Sequence, residues 1–291
     1  MSQTLFGIIV SAALNFLIGL SCYIGYLPLR FINLANGAII ALAASCLYAL
    51  VVMWHVDVWI SIIVAILFCI GVGVALEKFL FRHLRETTAI GWRPLIASLG
   101  VYIILQNSIS IVFGDNILLL HDQKIGTSHV IGAIYFTDSQ VAIIALTAIL
   151  AASVAALLQY SQVGRAIRAL SINPELFDLF GLKSERIVLL SVVVGTSLAA
   201  VAGALSALDT DITPGMGFRL LMNGIVVMLI GGVGRLWGMV WGALLLATAQ
   251  NLTSYYLDSK WMDAVSFLIL ITFLIWKPLG FSGRRLKKIE I

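Results

Sequence analysis

Charged residues are absent from six long stretches of the chain: residues 1–29, 31–56, 58–76, 94–114, 139–164 and 187–208. A helix needs about 20 apolar residues to cross the hydrocarbon core of a bilayer. Each stretch meets that requirement or comes close, so the pattern predicts six spanning helices. Beyond Arg219 it changes. Residues 220–234 are uncharged but short and run into Gly231-Gly232-Val233-Gly234-Arg235, after which 236–257 is uncharged again. Residues 218–257 therefore read as a Gly-interrupted hydrophobic pair, which either crosses twice or enters and re-emerges. A last span runs from about Trp261 to Phe281, with Trp261 and Trp276 near the interfaces. The expected fold is an all-α integral membrane protein of eight transmembrane helices, or nine if both limbs of the broken pair cross. It forms a single domain over residues 1–291.

Composition agrees. The chain is 61% hydrophobic and only 11% charged, against about 25% charged in soluble domains, which excludes an ordinary water-soluble fold. The net charge of +4 does not point to nucleic acid. Thirteen of the 18 Lys and Arg residues lie in residues 77–93, residues 160–186 and the tail from Lys277. The positive-inside rule places those segments, and with them the C-terminus, in the cytoplasm. Residues 114–138 and 209–219 carry Asp115, Asp122, Asp138, Asp209 and Asp211 and read as external. Counting back puts the N-terminus outside. The first 29 residues lack the basic region of a cleaved signal peptide and read as a retained span. Cys22, Cys46 and Cys69 fall inside apolar runs and read as buried thiols.

No Asp, Glu or His lies deep in a span, which argues against a proton-coupled carrier or pump, where such groups are retained for function. Uncharged polar residues do occur inside: Asn15, Asn33, Asn36, Gln106, Asn107 and Asn223. They either line a path for a small polar solute or join helices by hydrogen bonds, and Gln106 and Asn107 are the first choice for the path. Small residues recur at helical spacing, at Gly195 and Gly203 and at Gly234, Gly238 and Gly242, and with Gly231 and Gly232 they are expected at close helix contacts or turns.

The segment 160–186, YSQVGRAIRALSINPELFDLFGLKSER, is too polar to span. Arg165 and Arg168 stand three apart on one helix face. Asn173-Pro174-Glu175 supplies an N-cap, a Pro at the first helical position and an acid in the first turn. Phe177 and Leu179 are among the apolar residues that follow, and Gly181 fits a helix stop. A short amphipathic helix on the cytoplasmic face either lies in the lipid interface or inserts into a groove on a partner.

The same segment resembles the cytoplasmic coupling loop (161–185 here) of permeases in ATP-binding-cassette importers, through Gly164, Arg165, Arg168, Ala169, Leu179 and Gly181. With VVGTSLAAVAGAL and LIGGVGRLWGMVWGALLL, the chain resembles the branched-chain amino acid permease family, which includes related urea and amide permeases. The run Ile32-Asn33-Leu34-Ala35-Asn36-Gly37-Ala38 departs from that family's I-N-F-A-H-G-E in having Asn36 and Ala38. The resemblance implies a bacterial inner-membrane complex of two permease subunits, two cytoplasmic ATPases and an external solute-binding protein. The helix from Asn173 to Gly181 would then dock on an ATPase. ATP and Mg would belong to that ATPase, since the chain has no phosphate-binding loop of its own, and no cofactor or metal is expected on it. The implied cargo is a branched-chain or other amino acid. A urea or short-amide permease and a self-sufficient carrier or channel are the competing functions. A membrane enzyme would need clustered polar groups at one depth, whereas His55, His83, His121 and His129 lie outside the span centres.

Overall fold

In a computed structural model, which describes residues 2–87, 92–120, 128–131, 134–232, 236–277 and 280–281, the uncharged stretches are helices. They are α1 (Ser2–Leu29), α2 (Ala35–Tyr48), α3 (Val58–Leu76), α4 (Arg82–Thr87), α5 (Arg93–Phe113), α6 (Asp138–Tyr160), α7 (Gln162–Ile172), α8 (Pro174–Leu179), α9 (Ser184–Asp209), α10 (Met216–Gly231), α11 (Leu236–Tyr256) and α12 (Met262–Trp276). Wider π-helical turns, Ala49–Met53 and Glu77–Phe81, extend α2 and join α3 to α4.

Local chemistry sets the ends. The Asp57 carboxylate accepts from the Trp59 amide at 2.9 Å ahead of α3, and Thr137 with Gln140 forms a capping box at α6. Gly114 and Gly232, with φ of +77° and +82°, end α5 and α10. The segment before α6 holds a hairpin of β1 (Ser128–Ile131) and β2 (Ile134–Thr137), which the hydrophobic pattern does not announce.

Among the described residues, seven helices are long and apolar enough to cross a membrane: α1, α2 with its extension, α3 with its extension, α5, α6, α9 and the final helix from Ser259. At 16 residues, α10 is about 24 Å long, shorter than a bilayer core of about 30 Å. The polar pair Gln250-Asn251 interrupts the apolar run of α11. The two limbs of the Gly-interrupted pair pack on each other, with a Cβ at Gly238 falling 2.1 Å from the Gly231 carbonyl oxygen. Gly234 lies outside the described residues.

Successive long helices run antiparallel, so the chain has two distinct ends. At one, Gln3 exchanges two 2.9 Å hydrogen bonds with the Tyr135 backbone, Gln140 donates to Asp209 at 3.2 Å, and Leu118 pairs with Ile212. At the other, Arg30 meets the end of α7, Arg82 pairs with Glu185 at 2.9 Å, and the Phe281 amide donates to Ile230 at 2.9 Å. The segments read as external share the first end, and the basic ones share the second.

Helices α1, α2, α9 and α10 hold most of the buried residues, while α3, α5, α6 and α12 flank them. Their backbones touch. A Cβ at Gly203 of α9 would lie 2.2 Å from the Ile40 carbonyl oxygen of α2, and one at Gly217 of α10 would lie 2.0 Å from the Gly37 carbonyl oxygen. Gly195 approaches the Ser21 carbonyl of α1 more loosely, at 3.3 Å. Gly71 of α3, by contrast, has open space where a side chain would go. Gly203→Ala is therefore expected to destabilise the protein by roughly 1–3 kcal/mol through overpacking, while Gly71→Ala is neutral or stabilising because Ala favours the helix. Thermal unfolding of both variants in the same detergent checks this, and equal midpoints would contradict the packing described.

Candidate functional site

Two groupings of polar or unpartnered residues stand out, one inside the bundle and one at its basic end. The interior grouping centres on Gln250 of α11, which is only 5% exposed. Its side-chain oxygen accepts from Asn15 of α1 at 3.1 Å. Its amide nitrogen donates to Asn223 of α10 at 3.1 Å and to Ser266 of α12 at 2.9 Å. The Ser266 hydroxyl donates onward to the Met262 carbonyl at 2.8 Å. One amide thus ties four helices together in an apolar setting, where an unmet polar group is expensive. Asn223 and Ser266 also line a cleft between α10 and α12, together with Arg219, Met222, Asp263 and Phe267.

The sequence-predicted path residues divide. Asn15 and Asn223 both join this network through Gln250, which together with Ser266 gave no candidate from the sequence. Asn33 instead accepts from the Ala35 amide at 3.1 Å and shapes the entry to α2. Asn36 is buried in the first turn of α2. Gln106 is half-buried near Gly215. Asn107 is exposed and donates back to Ile103 of its own helix at 2.7 Å, as Ser108 does to Ile104 at 2.8 Å. Both lie on an open face of α5 beside Ile103, Ile104 and Ile111.

At the basic end, Ser161 breaks the long helix and accepts from the Gly164 amide at 3.0 Å, starting α7. Only Gly fits at 164, because a Cβ there would sit 2.2 Å from the Leu157 carbonyl oxygen. Arg165 and Arg168 are exposed on α7, with the Arg168 Nε donating to Gly164 at 3.4 Å. Asn173 then caps α8, accepting from the Leu176 amide at 3.1 Å, with Pro174 at the first helical position. Glu175 follows in the first turn. Gly181, at φ +74°, closes the segment. The expected short helix from Asn173 to Gly181 is α8, and Arg165 and Arg168 stand on the helix before it, α7, which meets α8 at Asn173.

The two faces of α8 differ sharply. Phe177 is 4% exposed and packs with Leu170, Val188 and Val192. Leu179 and Phe180 are each 80% exposed, and no other element among the described residues covers them.

Comparison with known proteins places this arrangement. The profile of the family described as "Branched-chain amino acid transport system / permease component" matches residues 4–274. The chain belongs to this permease family. It is 28% identical over 295 residues to the high-affinity branched-chain amino acid transport system permease protein LivH of Salmonella typhimurium, covering 97% of this chain and 95% of that relative. It is 29% identical over 218 residues to the corresponding permease protein BraD of Pseudomonas aeruginosa, covering 73% of this chain and 70% of BraD. A probable branched-chain amino acid transport permease protein LivH of Methanocaldococcus jannaschii is 24% identical over 305 residues, covering 98% and 93%. Among solved structures, PsaBC from Streptococcus pneumoniae in complex with Fab is similar with a TM-score of 0.50 at 13% identity, over 92% of this chain and 89% of that one. That likeness concerns the fold alone.

In this permease the Gln250 network is expected to support the helix arrangement. Gln250→Leu strands the polar groups of Asn15 and Asn223, and a loss of about 1–3 kcal/mol follows from leaving buried partners unmet. Ser266→Ala should lose less, since Gln250 keeps its bonds to Asn15 and Asn223. Equal thermal unfolding midpoints for Gln250→Leu and the parent protein would show that the network contributes nothing.

Proposed function

We propose that the chain is the transmembrane subunit of an ATP-binding-cassette importer that carries branched-chain amino acids across the cytoplasmic membrane. It spans nine times, with α10 and α11 both crossing, the N-terminus outside and the C-terminus in the cytoplasm. The observation that carries this reading is the two-faced α8. Its inner residue Phe177 is locked into the body of the protein, while Leu179 and Phe180 stand outward with Leu176 and Leu182, also exposed. An apolar face anchored from behind is suited to pushing or being pushed. A helix meant only to float in the lipid interface would not need a capped, Gly-terminated geometry pinned to two longer helices.

The ATPase supplies the energy and the external binding protein selects the solute. The amino acid cargo follows the names of the relatives. The open face of α5 supports a second permease beside this one, because Asn107 and Ser108 are better placed against protein or water than against lipid. The amide chemistry of Asn107 suits a solute with ammonium and carboxylate groups, and the proposed path runs along that face.

The docking face is tested by Phe180→Asp in a complex reconstituted with the partner ATPase and binding protein. A charge placed in a desolvated contact is expected to weaken ATPase association roughly 30-fold, the size of an interfacial hot spot of about 2 kcal/mol. Leucine uptake should fall with it. Leu257→Asp, at the opposite end of the bundle, should leave association unchanged. Full ATPase association with Phe180→Asp would rule out docking on α8.

A further inference from the structure

The turn between α1 and α2 contacts the α7–α8 joint and two flanking helices. Residues 30–34 join the two helices at the basic end of the bundle. Arg30 has φ of +55°, a conformation that is unfavourable by about 1–2 kcal/mol for a residue with a Cβ. Such a residue persists where its surroundings over-determine it. Here they do. Its amide donates to Tyr26 at 2.8 Å, and its Nη2 donates at 2.7 Å to both the Ser171 and the Ile172 carbonyl oxygens.

Those two carbonyls are the last of α7. They belong to the set a helix leaves without internal partners, at the negative end of its dipole. A guanidinium is suited to them, being always charged and presenting several donors in a fixed plane. The next residue is Asn173, the cap of α8. Arg30 therefore grips the joint between α7 and α8.

Its neighbours grip the surroundings. Leu29 packs against the cluster of Leu170, Phe177, Val188 and Val192, behind the outward face of α8. Phe31 is buried and its ring lies 6.0 Å from that of Phe81, in the π-helical turn between α3 and α4. Leu34 donates through its amide to Ser98 of α5 at 3.1 Å. One short turn thus contacts the α7–α8 joint, the end of α3 and the start of α5, and it is continuous with the two helices at the centre of the bundle.

We infer that Arg30 is a positioning residue for coupling, the clasp through which displacement of the α7–α8 pair is passed into α1 and α2. This rests on α8 being the ATPase-docking face. Without the clasp, α7 and α8 are still held by Leu170 and Phe177 but can shift against the α1–α2 turn, so ATP is hydrolysed without solute movement.

The test uses the complete complex in proteoliposomes, with radiolabelled leucine and ATP. In Arg30→Gln, ATPase association and the hydrolysis rate should stay within about twofold of the parent complex. Leucine moved per ATP should fall roughly tenfold, within the range usual for coupling between two sites. Arg30→Lys, which keeps a cation near the carbonyls, should restore part of the ratio, an effect that a loss of folding would not produce. A parent complex whose ATPase is indifferent to this subunit would count against the docking reading itself. A parent complex that couples, alongside an Arg30→Gln complex with the same leucine-to-ATP ratio, overturns the clasp alone. If Arg30→Gln fails to assemble, spin labels at Ala169→Cys on α7 and Met53→Cys after α2, with Arg30 intact, decide the matter. Their separation should be the same with and without nucleotide, and a nucleotide-driven change beyond the width of the distance distribution overturns the clasp.

Discussion

Lipid tails are as apolar as leucine, so burying hydrophobic surface gives helices in a membrane little reason to choose one another. What selects partners is close contact, and here that contact is backbone against backbone. Gly203 brings α9 onto the Ile40 carbonyl and Gly217 brings α10 onto the Gly37 carbonyl, so α2 is clamped from two sides. Gly224 brings α10 against α1 at Ile18 and Gly19. The four central helices form one unit because glycines let their backbones approach this closely. The other features are arranged around it: the Gln250 network sits where α1, α10, α11 and α12 converge, and the α1–α2 turn emerges at the basic end beneath α7.

Those contacts hold the central helices in register. The glycine contacts leave little room for α1, α2, α9 and α10 to slide, since dense packing tolerates few intermediate positions. Gly73 holds α3 against the same unit, since a Cβ there would fall 2.5 Å from the Thr196 side chain of α9. On the proposed reading, force from an ATPase enters at Leu179 and Phe180 and must reach the central unit to open a path. The inner face of α8 and the turn at Arg30 are where α7 and α8 are joined to that unit.

Much of the fold was legible because a bilayer is a ruler. Uncharged intervals predicted residues 31–56 and 94–114 as spans, and the helices Ala35–Met53 and Arg93–Phe113 fill them. Asn173, Pro174 and Gly181 announced α8 because caps and stops are local chemistry. The start of α7 was less visible, since it depends on Ser161 and Gly164 meeting the end of α6. The hairpin at 128–137 carries too short a pattern to read. Polar residues inside spans were recognisable as important, but their partners were not. Asn15 and Asn223 meet through Gln250, and which face of a helix turns inward is a property of the assembled bundle. Gln250-Asn251 offered the same signal as Gln106-Asn107, a polar pair within an uncharged run. Arg30 gave none, since one arginine between two spans looks like any loop charge.

The central claim is that this chain is a conduit whose energy comes from a separate molecule. Accumulation of radiolabelled leucine against its gradient, in liposomes holding this polypeptide alone or together with its ATPase and binding protein, tests it most directly. The account predicts ATP-dependent accumulation by the complete assembly and none by the chain alone. Selective uphill accumulation by liposomes containing only this polypeptide would contradict it.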